Sequence, residues 1–249
     1  MNLHVTDSGA GVPVVWIHGF PLASEMFRPQ LAIQGVRHLM PDLPGFGRTR
    51  AAERELSMDD YARFVLAELD RRGIERATFA GMSMGGYVCF AAARLAPERI
   101  AGFILIDTRE TADTEEARKG RYETIEKVRR EGLGPIVDSM LPKMLTRNAS
   151  PEMVDEVREI MESTSPAGAI AALGAMATRP DSTPLLPSLD IRTLIITGAD
   201  DPITPPADAK RMAAAIPNAK AVILDDAAHL SNYQQPEAFN RAAFLWLTG

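Results

Sequence analysis

Short apolar runs recur along the chain, each closed by a cluster of turn-forming residues. The runs Val12 to Ile17, Val36 to Met40, Ala77 to Ala80, Ala101 to Ile106, Thr193 to Thr197 and Ala221 to Leu224 show little alternation. They are short for helices and read as strands, with Val12 to Ile17 and Ala101 to Ile106 patterned as buried ones. Residues 3–7 alternate weakly and predict an edge strand. Between the runs the spacing turns helical. Ser24 is placed to cap a short helix to about Ile33. Ser57-Met58-Asp59-Asp60 resembles a capping box, opening a helix with Tyr61, Phe64, Val65, Leu66 and Leu69 near one stripe and Gly73 at its end. Further helices are predicted over Tyr87 to Leu95, from Thr204-Pro205-Pro206 to about Ile216, and from about Pro236 to Leu247. Strands alternating with helices predict an α/β class with a mostly parallel sheet and helices on both faces.

The alternation stops between Arg109 and about Ser182, where no strand is evident and four helical segments can be read. The first, Thr114 to Glu131, is highly charged around a thin stripe of Tyr122, Ile125 and Val128. The second carries Ile136, Val137, Met140, Leu141, Met144 and Leu145. The third opens on Ser150-Pro151, a favourable N-cap and first-turn pair. The fourth, Pro166 to Thr178, is small and apolar nearly all round. The expected organisation is a core of residues 1–108 and 183–249 with a helical cap at 109–182. Most of the cap's methionines read as core fillers. Met140, Met144 and Met161 are the ones expected to line a substrate pocket.

Composition narrows the function. The chain has 249 residues, 46% of them apolar and 24% charged, as expected of a globular protein. Net charge is −6 with Lys and Arg scattered, so nucleic-acid binding has no electrostatic footprint. No apolar run approaches the ~20 residues that span a bilayer, and no membrane association is expected. Met1 to Asp7 lacks the basic and apolar regions of a secretion signal, so a cytoplasmic location is expected. Cys89, a single cysteine, reads as a small buried hydrophobe. No His/Cys/Asp cluster has metal-ligand spacing, so neither a metal nor a cofactor is expected.

The chemistry gathers at the strand ends. Gly81-Met82-Ser83-Met84-Gly85-Gly86 lies where the run ending at Ala80 gives way to a helix, the setting of a nucleophile elbow. A serine hydroxyl needs a base to take its proton as it attacks, and histidine suits that task at neutral pH. Of four histidines, His4 lies near the start, His38 inside a strand, and His18 in a loop before the serine. His229 alone occupies a loop after a late strand. Asp201 ends the strand before it and is the expected carboxylate partner, since Asp200 should point the other way. Asp107 also ends a strand, beside the elbow, and is a rival whose plainer role is a cap. Asp225 and Asp226 read as caps of the last loop, Asp226 being able also to tune His229. The amides of Met84, at a helix start, and Phe20, in the loop after an early strand, are expected to receive an oxyanion. His18 reads as a structural hydrogen-bonding residue.

These residues make the chain resemble the α/β-hydrolase superfamily. The matching stretches are His18-Gly19-Phe20-Pro21, Asp42-Leu43-Pro44-Gly45-Phe46-Gly47, Gly81 to Gly86, Gly198-Ala199-Asp200-Asp201-Pro202 and His229-Leu230-Ser231-Asn232, in the family's order. The resemblance implies an eight-stranded type of sheet, with the cap between the family's sixth and seventh strands. It makes Ser83 the nucleophile, Asp201 the acid, His229 the base, and Phe20 and Met84 the oxyanion donors. The tail from His229 to Asn240 is similar to that of 3-oxoadipate enol-lactonases and related carboxylesterases, although Ala228 stands where relatives often have glycine and Tyr122 is the cap's one aromatic residue. Serine at the elbow speaks against the haloalkane dehalogenases and epoxide hydrolases of this fold, which use aspartate there. The expected activity is serine carboxylic-ester hydrolysis of small to medium acyl esters. An enol-lactonase is the alternative within the fold, and a non-turnover ligand sensor the alternative from another class. A small-molecule ester or lactone is the implied partner. A free carboxylate on it would find candidate cations in Arg109, Lys143 and Arg147, each otherwise a solvated surface charge.

Overall fold

The computed structural model describes residues 1–249. Its strands are β1 (Val5–Gly9), β2 (Val12–Ile17), β3 (Val36–Pro41), β4 (Ala77–Met82), β5 (Ile100–Ile106), β6 (Thr193–Gly198) and β7 (Ala219–Leu224). They form one sheet in the order β1-β3-β2-β4-β5-β6-β7. Only β1 runs antiparallel, against β3. The central strands β4 and β6 are buried at every position, which is why they read as unbroken apolar runs. The sheet has seven strands rather than eight. The parallel series begins at β2, and the helices between Arg109 and Ser182 follow β5, the fifth strand of this chain.

Helices α1 (Met58–Arg71), α2 (Met84–Leu95), α3 (Glu115–Glu131), α4 (Gly134–Met144), α5 (Pro151–Glu162), α6 (Pro166–Ala177), α7 (Pro206–Ala215), α8 (Ser231–Gln234) and α9 (Pro236–Thr248) complete the chain. The capping box at α1 forms in full: Asp60 N donates to Ser57 Oγ and Ser57 N to Asp60 Oδ2. Ser24 does not cap. Residues Ser24–Ala32 make a 3-10 helix whose N-cap is Ala23, with Pro29 inside it lacking the amide an α-helix would use. The Ser24 amide instead donates to Asp42 Oδ1 at 2.9 Å. The four helices expected between Arg109 and Ser182 all form. Thr114, Ser150 and Ser165 cap three of them through side-chain oxygens.

One hydrophobic cluster of 69 buried residues joins the sheet to the insertion, including Trp16 and Phe103 with Ile125, Val137, Val157 and Leu173. Trp16 is buried against Phe27 and Phe239. Its Nε1 donates to His38 Nδ1 at 3.1 Å, which leaves His38 Nε2 to donate to Ile33 O at 3.2 Å. His38 lies inside β3, and of the two environments open to it there it is packed rather than edge-exposed.

Polar contacts stitch the insertion to the rim of the sheet on two sides. Where α5 meets α6, Thr164 Oγ1 donates to Pro21 O and the Ser165 amide to Gly45 O. After α4, the Leu230 amide donates to Met144 O at 2.8 Å. The Gln234 side-chain oxygen, Oε1, receives both Thr146 N and Ala228 N. Asn148 Nδ2 donates to Asp226 Oδ1 at 2.8 Å, so Asp226 ties the insertion to the last loop and makes no bond with His229.

Candidate active site

The turn from β4 into α2 is sharp enough to force Ser83 to φ 50°, ψ −111°. A non-glycine residue held there is under backbone strain, of the kind concentrated at functional sites. The flanking glycines allow it. A Cβ on Gly81 would lie 2.4 Å from Gly85 O, and one on Gly85 would lie 2.0 Å from Ile17 O. The Ser83 backbone is pinned: its amide donates to Ile106 O and its carbonyl receives Gly86 N and Thr108 Oγ1.

The geometry brings together the three residues expected from the strand ends. Ser83 Oγ is 3.0 Å from His229 Nε2, and His229 Nδ1 is 2.8 Å from Asp201 Oδ2. All three are buried, Ser83 with 9% of its surface exposed and His229 with 1%. Asp201 is well supplied with donors. Its Oδ1 receives Ile203 N and Thr204 N, and its Oδ2 receives the Thr204 hydroxyl at 2.6 Å. Burial by itself would raise the Asp201 pKa. The facing His229 and the Thr204 donors outweigh it and hold the carboxyl below its usual value. An ionised Asp201 on Nδ1 places the imidazole proton there, and Nε2 is left free to accept the Ser83 proton.

The Phe20 amide makes no hydrogen bond within the chain, and its loop passes close enough that a Cβ on Gly19 would lie 3.2 Å from Ser83 Cβ. The Met84 amide is the first of α2, a position with no intrahelical acceptor. His18 stays out of the cluster. It receives the Leu43 amide at Nε2 at 3.0 Å and meets Gly19 O with Nδ1, while burial lowers its pKa and keeps it neutral.

The rival acid Asp107 does not bond His229. Its oxygens receive Gly198 N and the Ser231 amide and hydroxyl. Asp200 is exposed, as its opposite direction predicts. Met144 and Met161 are fully buried and Met140 is half-buried against the same core. Met144 adjoins the histidine loop through its carbonyl. Arg109 is a partly exposed charge rather than a free one: it pairs with Asp208 at 3.3 Å and donates to Ile203 O. Lys143 and Arg147 line a surface groove of about 250 Å³ with Asp200 and Ala228.

Thr204 was not anticipated. Its signal was available: an Asp whose side chain accepts from amides two and three residues on makes an Asx-type turn, and a hydroxyl residue at the third position can return a bond.

Residues 12–236 match the family model described as alpha/beta hydrolase fold. The chain belongs to that family. It is 32% identical to 3-oxoadipate enol-lactonase 2 of Acinetobacter baylyi over 204 residues, covering 81% of this chain and 74% of that one. Among solved structures it is similar to a thermophilic esterase from Thermogutta terrifontis, with 38% identity, TM-score 0.96, and coverage of 99% of this chain and 93% of that one. The enol-lactonase of Burkholderia xenovorans superposes with TM-score 0.92 at 28% identity, covering 99% of this chain and 96% of that one. Other relatives are named as putative non-heme haloperoxidases. The seven-stranded sheet with its flanking helices is thus an α/β-hydrolase fold.

Proposed function

We propose that this hydrolase cleaves carboxylic esters through an acyl-enzyme, with Ser83 as nucleophile, His229 as base and Asp201 as the acid that orients it. The observation that carries the reading is the continuous relay from Ser83 Oγ through both nitrogens of His229 to Asp201, at 3.0 and 2.8 Å. As Ser83 Oγ attacks the ester carbon, its proton passes to His229 Nε2, and Asp201 stabilises the imidazolium. The Phe20 and Met84 amides receive the carbonyl oxygen as it becomes an oxyanion. Collapse expels the alcohol, protonated by His229. Water, activated by the same histidine, then attacks the acyl carbon and releases the acid.

The helices of 109–182 act as the cap that shapes the acyl pocket, with the half-buried Met140 on its apolar side and the fully buried Met144 and Met161 packed in the core behind it. Small to medium acyl groups suit that aliphatic lining. The resemblance to enol-lactonases supports a second substrate, a lactone opened by the same attack. Hydrolysis of p-nitrophenyl esters of rising chain length, with Ser83→Ala as control, tests the ester reading. Turnover is expected to be greatest for short to medium chains and to vanish in Ser83→Ala. Absence of Ser83-dependent turnover on every ester would overturn it and favour a ligand-binding role. 3-Oxoadipate enol-lactone assayed alongside ranks the two substrates: a kcat/KM for the lactone higher by orders of magnitude would make lactonase the main activity.

A further inference from the structure

Asp107 is a second buried carboxylate at this end of the sheet, and the acyl transfer described above leaves it without a role. It ends β5 with φ 42°, and its amide continues the parallel ladder onto Ile196 O at 2.9 Å. In a regular ladder its carbonyl would next receive the Gly198 amide. The left-handed turn takes that carbonyl out of line, and the side chain replaces it: Asp107 Oδ1 receives Gly198 N at 2.8 Å. The other oxygen, Oδ2, receives the Ser231 amide at 3.3 Å and the Ser231 hydroxyl.

The two partners lie on different loops. Gly198 closes β6, just ahead of Asp201. Ser231 opens α8, just beyond His229. These loops touch: a Cβ on Gly198 would sit 2.3 Å from the carbonyl oxygens of Ala227 and Ala228. We infer that Asp107 is a positioning residue for the proposed hydrolysis, one carboxylate that ties the Asp201-bearing strand end to the His229-bearing turn and so sets His229 against Asp201 and Ser83. The inference rests on the reading of Ser83, His229 and Asp201 given above.

The residue type follows from the donor count. Two amides and one hydroxyl converge on two oxygens, and only a carboxylate offers an acceptor to each side. Asparagine has one oxygen, so its amide nitrogen would face either the Gly198 or the Ser231 amide. Two titratable groups face Asp107, Asp201 from the loop after β6 and His229 from the loop after β7. Burial and the Asp201 charge push the Asp107 carboxyl up to about 7, against the opposing pull of His229 and the hydrogen bonds. Above that pH, where the carboxyl is ionised, its charge faces the imidazolium formed during attack.

Steady-state kinetics on p-nitrophenyl butyrate, with KM and kcat separated and followed from pH 5 to 9, test this in the full-length protein. Asp107→Asn is expected to lower kcat at least tenfold with KM within twofold. Its kcat profile should change near pH 7, because the Asp107 carboxyl titrates there and an asparagine does not. The low-field proton resonance of His229 Nδ1–H should shift or broaden. A variant with wild-type kcat, profile and resonance would overturn the inference, as would an activity loss that only tracks the folded fraction. If Asp107→Asn does not fold, Ser231→Ala decides, since it removes the hydroxyl and keeps every amide. A severalfold loss in kcat with an altered resonance supports positioning, and wild-type behaviour refutes it. Should the wild-type protein show no Ser83-dependent turnover, the functional reading fails by itself, and the His229 resonance still reports whether Asp107 positions the imidazole.

Discussion

The Thr204 hydroxyl and His229 Nδ1 share one oxygen of Asp201, at 2.6 and 2.8 Å. Thr204 Oγ also lies 3.3 Å from that nitrogen, so the hydroxyl fixes the direction from which the carboxylate meets the ring. Thr204→Val keeps the shape and removes the donor. A bond to a charged group contributes about 1.5–3 kcal/mol, and here it bears on the orientation of the His229 ring. The kcat on p-nitrophenyl esters is expected to fall roughly tenfold with KM little changed, and stopped-flow acylation rates should fall in step.

Replacing Asp201 itself has a larger consequence. In Asp201→Asn the amide can satisfy His229 Nδ1 in the wrong tautomer, which presents a protonated Nε2 to Ser83. A loss in kcat of roughly ten-thousand-fold is expected by analogy with other Ser-His-Asp sites. Residual activity close to wild type would show that Asp107, not Asp201, serves His229.

Two glycines of α6 give opposite outcomes for the same substitution. A Cβ on Gly174 meets nothing within 4 Å, so Gly174→Ala gains helix propensity of about 1 kcal/mol and should raise Tm. A Cβ on Gly168 would lie 2.3 Å from Gly45 O. Overpacking there costs on the order of 1–3 kcal/mol and outweighs the propensity gain. Gly168→Ala is expected to lower Tm by a few degrees in differential scanning calorimetry and to loosen the Ser165 contact with the Gly45 loop.

Stability should depend on pH through His18 and His38. Burial lowers both from the usual 6.5. The unfolded chain then binds more protons than the folded one between the lowered values and 6.5. Their contribution is whole above 6.5 and is lost as pH falls through the lowered pKa values. Urea unfolding between pH 8 and 5 should show this decline, with a slope of at most about 1.4 kcal/mol per pH unit for each group. His38→Gln retains an acceptor for Trp16 Nε1 and a donor for Ile33 O, and should flatten part of the slope.

The fold was legible because the central strands, buried on both faces, leave uninterrupted apolar runs, and because serine, aspartate and histidine each follow a strand, which for His229 is the half-exposed edge strand β7. The insertion's helices were legible from their caps, Thr114, Ser150 and Ser165, which act within a single turn. What stayed hidden is long-range. Asp107 and Ser231 are 124 residues apart, and nothing local to either announces the partner. Helix α8 is four residues long, shorter than any helical period can reveal. The partner of Arg109 is hidden for the same reason, since Asp208 lies on helix α7, 99 residues further along the chain.

The shared core described above bears on how such a protein can change over generations. The insertion has no private interior: Val137, Val157 and Leu173 belong to the same cluster as Trp16 and Phe103. Its loops also supply partners to the turn that carries His229. It is therefore not a cassette that recombination could exchange while the rest stands. Cutting out 109–182 would strip the Leu230 amide of Met144 O and the Gln234 side chain of Thr146, and so disturb the turn that carries His229. New substrates are expected to be reached by single substitutions on the apolar stripes of α4 to α6, each of which must keep the common interior filled.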